Sequence, residues 1–386
     1  MKVFVVDNVH MIKDKDGRFY SPTIYDYAFL QRYLKAFDEV KFIGKVKHED
    51  VVGPNNKMLS GPNVEIVELP WYQGLGQMIR KFRKLRKIYR EQSKDCDCYV
   101  FRVAQMESFF MYLFRKNKSA PYVLEVVNDP ATFVDMPKPL KWFSVFMLRR
   151  MAKGAIGASY VTEKYLQSKY PLGKKKRFES YYSSINLDVN QIASSPIQYA
   201  GNGVFKIVHV SNAINTDIKG HYTLLKMTKD LLERGIKVEV LCVGDGTKVD
   251  EYREFVAQNG LTEVVRFIGR ISSKDELLSI LRNSNLMVLP TKMEGLPRTI
   301  IEAMAVGLPC LSTPVAGIPE LLDEKYLFDP QDYRGFASKV EHLMNAPDEL
   351  LKMSVENIEK AKAFTSDVLE TRRTSFYKCL RESVNI

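Results

Sequence analysis

Short apolar runs recur along the chain and alternate with longer segments in which apolar residues lie three or four positions apart. The clearest is Leu286–Pro290, which is typical of a buried strand of a parallel sheet. In the first half we predict strands at Val3–Asp7, Glu39–Ile43, Val64–Glu68, Tyr99–Val103, Tyr122–Val127 and Ala155–Val161. In the second half we predict strands at Phe205–Val210, Val238–Val243, Leu286–Pro290 and Cys310–Thr313. The pattern predicts an α/β fold.

The segments between the runs have helical spacing. They predict helices at Thr23–Phe37, Met78–Lys94, Leu140–Ala152, His221–Glu233, Asp275–Arg282, Arg298–Val306 and Ser366–Leu380. We interpret Leu140–Ala152 as a core helix, because it is too short to cross a bilayer. Residues 190–204 are rich in Ser, Asn and Gly and predict a linker. With 386 residues the chain accommodates two domains, predicted at 1–195 and 204–365.

The stretch from Leu286 to Pro319 is the most informative part of the sequence. It predicts a strand, a loop and a helix, and such a loop opens at the carboxyl end of the sheet, where ligands of open α/β folds bind. Backbone N–H groups at the helix start suit a phosphate or diphosphate. Glu294 and Glu302 bracket this position with seven residues between them. Because a carboxylate repels phosphate, each is expected to accept hydrogen bonds from sugar or ribose hydroxyls.

The letters of this stretch, EGLPRTIIEAMAVGLP followed by PVAGIPELL, resemble the E-x7-E signature of retaining glycosyltransferases of family 4. The resemblance implies the GT-B fold, with two Rossmann-like domains whose parallel sheets face across a cleft. It implies a nucleotide-sugar donor, Glu294 on the hydroxyls of the donor sugar and Glu302 on the ribose. It also implies that residues 366–386 form a helix that packs back on the first domain.

The same resemblance extends to other donor-binding positions. Lys219 matches a lysine that holds the donor diphosphate, whereas the arginine usual in the family is replaced by Ser211 and Asn212. Val265–Arg270 matches the strand and turn that hold the base in the family, largely through backbone groups, with Gly269 and Arg270 in the turn. The remaining expected donor contacts are Gly295, Leu296, Pro297 and Arg298.

One position in the first domain is a candidate for the acceptor side. Asn128, Asp129 and Pro130 follow a predicted strand where the family often carries a His-Asp pair, of which only the Asp is kept. Asp129 either contacts an acceptor hydroxyl or simply forms a turn, for which Asn-Asp-Pro is well suited.

Charge is distributed unequally. Residues 1–200 hold 33 Lys and Arg against 20 Asp and Glu, whereas residues 201–386 hold 24 against 26. The excess is strongest in the helix at 78–94, which combines a narrow apolar stripe with eight Lys and Arg. A basic amphipathic helix can lie at an anionic membrane, or it can dock on the sheet and leave its charges in solvent; the two are compatible.

No metal or other cofactor is expected. The five cysteines are scattered, with no CxxC pair and no clustered histidine. Two Asp-x-Asp sequences, Asp14 to Asp16 and Asp95 to Asp97, fit the metal-binding pattern of another glycosyltransferase fold, but neither has other matching features around it. We interpret both as coincidental.

We therefore expect a hexosyltransferase that moves a sugar to a polysaccharide or lipid-linked acceptor in cell-surface glycan synthesis. The alternatives are a nucleotide-sugar epimerase and a GT-B binding subunit of weak activity. The N-terminus enters a strand without a signal-peptide pattern, so we expect a cytoplasmic protein, peripheral at the inner face of the membrane. The basic half does not suggest nucleic acid, because no recognition module is present.

Overall fold

The apolar runs form two separate sheets in a computed structural model of the chain. The structure describes residues 1–54, 56–133, 136–199 and 203–384. Unit 1 comprises Met1–Tyr182 and Glu370–Ile386, and unit 2 comprises Ser183–Leu369. Of the predicted linker at 190–204, residues 200–202 lie outside the described residues. Its described part belongs to unit 2.

Unit 1 is built on a sheet of ten strands. They are β1 Lys2–Val6, β2 His10–Lys13, β3 Phe19–Ser21, β4 Glu39–His48, β5 Lys57–Met58, β6 Val64–Pro70, β7 Cys98–Val103, β8 Tyr122–Val126, β9 Gly157–Tyr160 and β10 Phe178–Tyr181. Their order is β10-β9-β8-β7-β1-β4-β2-β3-β5, and β6 also pairs with β4. The predicted strands are confirmed and pair in parallel. The antiparallel strands β3 and β5, the short β2 and the edge strand β10 were not predicted, because they contain no apolar run.

Five helices accompany this sheet: α1 Tyr27–Leu34, α2 Gly74–Gln92, α3 Met106–Phe114, α4 Lys138–Gly154 and α5 Tyr165–Lys169. The helices α2, α3 and α4 each lead to a strand nearer the β10 edge. Because parallel connections are right-handed, all three lie on one face of the sheet. Phe82 of α2 packs against Phe110 of α3 at 5.7 Å between ring centroids, and Phe109 of α3 packs against Phe143 of α4 at 6.1 Å. The three helices therefore form one layer.

The core-helix interpretation of α4 is correct for only part of its surface. Met147, Leu148 and Met151 are buried, but Trp142 and Phe146 are 78% and 59% exposed. The helix carries two apolar stripes, and only one of them packs on the core. Among the described residues, no helix combines the length and apolar character needed to cross a membrane.

Unit 2 contains a five-stranded parallel sheet in the order β13-β12-β11-β14-β15. The strands are β11 Phe205–Ala213, β12 Val238–Asp245, β13 Val265–Phe267, β14 Leu286–Val288 and β15 Cys310–Leu311. The helices are α6 His221–Glu233, α7 Val249–Gln258, α8 Lys274–Arg282, α9 Arg298–Ala305, α10 Tyr333–Met344 and α11 Pro347–Ala361. Every strand predicted here is confirmed. The central strand β11 lies between β12 and β14, so the loops that follow these strands open at the same edge.

The last helix, α12 Ser366–Val384, contributes residues from Glu370 onward to unit 1. Lys35 forms an ion pair with Glu370 at 2.6 Å. The ring of Tyr377 lies 4.7 Å from that of Tyr33 in α1. These contacts place this part of α12 beside α1.

Candidate functional site

Two loops of unit 2 are joined where the neighbouring strands β11 and β14 end. Lys292, after β14, donates its backbone N–H to the carbonyl oxygen of Ile218 at 2.7 Å. The Thr291 hydroxyl donates to the same carbonyl at 3.2 Å. Ile218 lies in the 3-10 helix Asp217–Lys219 that follows β11. The loop after β14 is thereby held against Lys219.

The hydrogen bonds between these two loops bring two predicted site residues into contact. The Lys219 ammonium donates a hydrogen bond to Glu294 Oε1. The Lys219 side chain is 32% exposed and that of Glu294 is 10% exposed. The ammonium thus has a fixed partner on one side and access to solvent on the other. In this structure the Glu294 carboxylate contacts the lysine, a partner that the sequence did not predict.

A second ion pair lies next to the first. Lys292 Nζ is 2.5 Å from Asp217 Oδ2. Asp217 Oδ1 accepts hydrogen bonds from the Tyr252 hydroxyl at 3.0 Å and from the backbone N–H of Tyr222 at 3.1 Å. Asp217 therefore fixes both the first turn of α6 and the loop lysine. Sequence reasoning missed this pair; an Asp shortly before a helix start was the available signal.

Two glycines allow the loops to approach closely. Gly220 has φ +78°, and a Cβ there would lie 2.0 Å from the carbonyl oxygen of Pro290. Gly244 has φ +130°, and a Cβ there would lie 1.6 Å from the carbonyl oxygen of Ser211. Any other residue would force these loops apart, because both the backbone conformation and the space exclude a side chain.

The start of α9 lies beyond Glu294 in the same loop. Within the described part of unit 2, no side chain caps this helix, whose N-cap residue is Pro297. The carbonyl oxygen of Gly295 accepts from Gly317 N at 2.9 Å, which holds the loop between Gly295 and Pro297 in place. Leu296 is half-buried and Arg298 is exposed. First-turn N–H groups without a cap, next to a basic residue, suit an anion.

Glu302 lies one turn further into α9 and is largely buried. Burial raises the pKa of its carboxyl group, and the charges of Arg298 and Lys274 oppose this rise. Burial lowers the pKa of Lys274, at the start of α8, against the charges of Glu302 and Asp188. Lys274 was not predicted as part of the site. The signal that could have indicated it was its position at a helix start after the turn that carries Arg270.

The other predicted donor contacts lie at the same edge of the sheet. Ser211 is buried, with its hydroxyl 3.5 Å from the carbonyl oxygen of Ala213, and Asn212 is exposed. The Gly269 carbonyl oxygen accepts a hydrogen bond from Gly244 N at 2.8 Å, which ties the turn after β13 to the end of β12. Arg270 is exposed. The edge therefore presents backbone and side-chain groups from the ends of β11, β12, β13 and β14.

A buried histidine pair lies close to Lys219. The sequence did not predict this pair. His209 Nδ1 is 2.9 Å from the carbonyl oxygen of Val288, and the ring of His221 lies 4.5 Å from that of His209. His221 also stacks on Tyr252 at 4.8 Å. Burial lowers the pKa of His209 to about 4 and that of His221 to about 2. Both rings are neutral at pH 7 and add no positive charge beneath the lysine.

Asp129 lies in unit 1 and is completely buried. Its carboxylate accepts hydrogen bonds from Lys169 Nζ at 2.8 Å, from the hydroxyls of Tyr165 and Tyr170 at 2.9 and 2.5 Å, and from Ala131 N at 2.9 Å. Burial raises the pKa of the carboxyl group, but the hydrogen bonds from Lys169 and Tyr170 outweigh it, so the pKa is lowered. Asp129 also caps the 3-10 helix Pro130–Thr132, which agrees with the turn interpretation.

Carboxylates of both Asp-x-Asp sequences form ion pairs with basic side chains. Asp14 and Asp16 both pair with Arg18, and Asp95 pairs with Lys2 at 3.1 Å. Across the described ranges of the chain, His, Cys, Asp and Glu residues form no group of three or more that could hold a metal ion.

Unit 2 contains a segment that matches a known protein family. Residues 204–346 match the family model described as "Glycosyl transferases group 1". The chain is similar to protein CapJ of Staphylococcus aureus, with 29% identity over 86% of this chain and 83% of CapJ. It is also similar to the putative colanic acid biosynthesis glycosyltransferase WcaL of Escherichia coli, with 27% identity over 41% of this chain and 40% of WcaL.

Solved structures resemble the whole chain at low sequence identity. Sucrose-phosphate synthase from Thermosynechococcus elongatus has a TM-score of 0.69 and 13% identity, over 99% of this chain and 100% of that one. HepE of Anabaena, solved in complex with UDP and glucose, has a TM-score of 0.65 and 14% identity, over 98% of this chain and 100% of that one. The predicted GT-B fold is confirmed by these two likenesses. The family-model match over residues 204–346 and the similarity to relatives named as glycosyltransferases identify the chain as a glycosyltransferase.

Proposed function

We propose that this glycosyltransferase is a retaining enzyme that moves a hexose from a nucleotide-sugar donor to a polysaccharide or lipid-linked oligosaccharide acceptor in cell-surface glycan synthesis. The donor is supported by HepE, which was solved with UDP and glucose. The acceptor class is supported by WcaL, whose name assigns it to colanic acid biosynthesis. The retaining outcome is supported by the resemblance of residues 294–309 to the E-x7-E signature.

The observation that carries the proposal is the Lys219–Glu294 pair beside the uncapped start of α9. A departing nucleoside diphosphate gains negative charge as its bond to the sugar breaks, and fixed cations and backbone dipoles stabilise that charge. Lys219 supplies the cation, and its partner Glu294 holds it in one position. Nearby, the amino end of α9 supplies N–H groups.

The proposed reaction exchanges one bond at the anomeric carbon. The bond from this carbon to the diphosphate oxygen breaks, and a bond to the acceptor hydroxyl oxygen forms on the same face of the sugar. The acceptor proton passes to the departing phosphate. Glu294 and Glu302 accept hydrogen bonds from donor-sugar and ribose hydroxyls. No metal takes part, so we expect EDTA to leave turnover unchanged.

We also propose that the protein works in the cytoplasm at the inner face of the membrane, with the basic residues of 78–94 near anionic lipid. In α2, Arg83, Lys84, Arg86, Lys87 and Arg90 are exposed. Each basic residue near an anionic membrane surface contributes about 1 kcal/mol of attraction. A lipid-linked acceptor is itself confined to that surface, so the enzyme and its substrate would meet there.

Donor binding can be tested with a thermal-shift screen of the purified chain against UDP, GDP and ADP sugars. A selective donor raises the melting temperature by mass action. We expect Glu302→Ala to abolish that shift and Glu294→Ala to retain part of it but lose turnover. Glu276→Ala, which removes an exposed carboxylate on α8, is the matched control.

Product analysis separates the proposal from its alternatives. We expect transfer with retained anomeric configuration, visible in the proton NMR coupling of the new glycosidic bond. Conversion of the donor into its epimer without transfer would overturn the proposal in favour of an epimerase. Donor binding without hydrolysis or transfer, with every acceptor offered, would overturn it in favour of a binding subunit.

A further inference from the structure

Trp142 and Phe146 of α4 point away from the packed core of unit 1, and both are mostly exposed. They are four positions apart, so they lie next to each other on one face of the helix. Buried residues of the other stripe, such as Met147 and Met151, anchor α4 to the sheet. The helix is therefore well fixed and still displays two large aromatic side chains to solvent. Adjacent exposed apolar groups of this size mark a contact surface.

The charged residues of α4 all have one sign. α4 contains five basic residues and no acidic residue: Lys138, Lys141, Arg149, Arg150 and Lys153. Four of these are exposed, and Lys141 is half-buried. Exposed aromatic side chains can enter an apolar layer, and the surrounding cations can bind an anionic layer that covers it. A partner surface with both layers therefore complements α4.

The same character extends over the layer of α2, α3 and α4. The three helices carry twelve Lys and Arg residues and two glutamates, of which Glu107 is buried. Ile79 of α2 and Leu113 of α3 are further apolar residues exposed on this layer. The aromatic contacts between α2, α3 and α4 show that these helices pack side by side in one layer.

We propose that α4 is the element that inserts into an anionic phospholipid bilayer, with Trp142 and Phe146 entering the boundary between headgroups and acyl chains. The cations of α2 and α4 contact the headgroup phosphates. Tryptophan favours this boundary because its ring is apolar and its N–H can still reach water. The inference rests on the membrane contact proposed above, and it assigns insertion to a helix outside 78–94. Charge complementarity selects lipid over a second copy of the chain, because two copies would bring cationic layers together.

The chain offers a direct probe, because it contains two tryptophans, Trp71 and Trp142. Trp71→Phe leaves Trp142 as the only tryptophan, and Trp142→Phe leaves Trp71 as the control. With vesicles of phosphatidylcholine containing 30% phosphatidylglycerol, we expect the emission of Trp142 to shift to shorter wavelength. We expect acyl-chain-brominated lipid to quench Trp142 at least twofold more than Trp71. Pure phosphatidylcholine vesicles should leave both signals unchanged.

Affinity provides the second readout. Trp142→Ala combined with Phe146→Ala should weaken vesicle sedimentation at least tenfold and leave the melting temperature of the protein unchanged. Val355→Ala removes an exposed apolar side chain of unit 2 and should have no effect. If vesicles bind the protein while Trp142 stays as accessible to acrylamide as in solution, the charges alone bind lipid and the proposal is wrong. Shielding of Trp142 without lipid, with a dimer in sedimentation velocity, would also overturn it.

The donor site is measured separately in the same proteins. The double variant should keep the donor-induced thermal shift of the unaltered chain, because α4 belongs to unit 1 and the proposed donor site lies in unit 2. If the unaltered chain shows the donor-induced thermal shift but does not insert into the vesicles, the role of α4 is rejected and the donor site stands. Insertion without any donor-induced shift would reject the proposed donor site and leave the membrane surface standing.

Discussion

Each unit has charged residues where its parallel strands end. In unit 1 their ion pairs are buried, whereas in unit 2 they are partly exposed to solvent. In unit 1, Arg102 donates to Asp7 at 2.6 Å and also to Glu125, and all three are buried. Four tyrosine hydroxyls complete the network around the two carboxylates, from Tyr25, Tyr33, Tyr182 and Tyr377. In unit 2, Lys219 and Lys292 have carboxylate partners but remain about one-third exposed. Charges enclosed by partners hold a fold together, whereas half-open ones can bind a ligand.

The largest effect on stability is expected from breaking the enclosed network of unit 1. Arg102→Ala leaves two carboxylates buried without their cation, which costs about 3–5 kcal/mol. Both tryptophans lie in unit 1, so urea unfolding followed by their fluorescence reports on this unit. Lys176→Ala breaks an ion pair of unit 1 that is more exposed and should cost no more than about 0.5 kcal/mol. Equal losses of unfolding free energy in the two variants would show that burial does not make the Arg102 network more important than an exposed ion pair.

The half-open site should respond in activity instead of stability. Lys219→Ala removes the cation proposed to stabilise the departing diphosphate, and we expect kcat to fall by about 10²–10³-fold. The melting temperature followed by circular dichroism should change little. Lys226→Ala, an exposed lysine of α6, is the matched control and should keep full turnover. If Lys219→Ala also keeps kcat within a few-fold, the cation is not part of the reaction.

The histidine pair beneath the half-open site should make unit 2 sensitive to acid. Burial depresses the folded-state pKa values, so protonation favours the unfolded state once the pH falls below the unfolded value of about 6.5. The stabilisation is therefore complete above about pH 6.5 and decreases as the pH falls toward 4. His209 alone should cost about 2 kcal/mol between pH 7 and pH 5.

His209→Asn tests this dependence, because asparagine can still donate to the Val288 carbonyl and does not titrate. Chemical unfolding followed by circular dichroism at pH 7 and pH 5 should show a smaller acid-induced loss in the variant. An identical loss in both proteins would show that other groups are responsible.

The smallest effect is expected at Asp129, where several donors share one carboxylate. Tyr170→Phe removes one of them, and the remaining three keep the charge satisfied. We expect a loss of about 1 kcal/mol in the tryptophan-monitored unfolding of unit 1. A loss as large as that of Arg102→Ala would mean that this hydrogen bond alone holds the carboxylate in place.

The sequence predicted the strands of both sheets well, because buried parallel strands are continuous apolar runs. It could not predict which stripe of α4 is buried. Phe143, Met147 and Met151 form one apolar stripe and Trp142 and Phe146 another, and periodicity alone does not rank them. The strands β2, β3 and β5 are short and partly polar, so their pairing depends on neighbours that are distant in sequence.

The motif located the candidate site but not its contacts. Lys219 and Glu294 were chosen independently, and nothing in the sequence indicated that two residues 75 positions apart would pair. Their contact depends on the order of β11 and β14 in the sheet. The surroundings of Asp129 were unpredictable for a similar reason, since Lys169 and Tyr170 reach it from a segment about 40 residues further along the chain.

We place the donor diphosphate against Lys219 and the amino end of α9. A crystal structure of the chain with bound UDP or a UDP-sugar would show whether it lies there. We expect phosphate oxygens within hydrogen-bonding distance of Lys219 Nζ and of backbone N–H groups near Arg298. A well-ordered nucleotide bound elsewhere, with Lys219 still turned only toward Glu294, would contradict it.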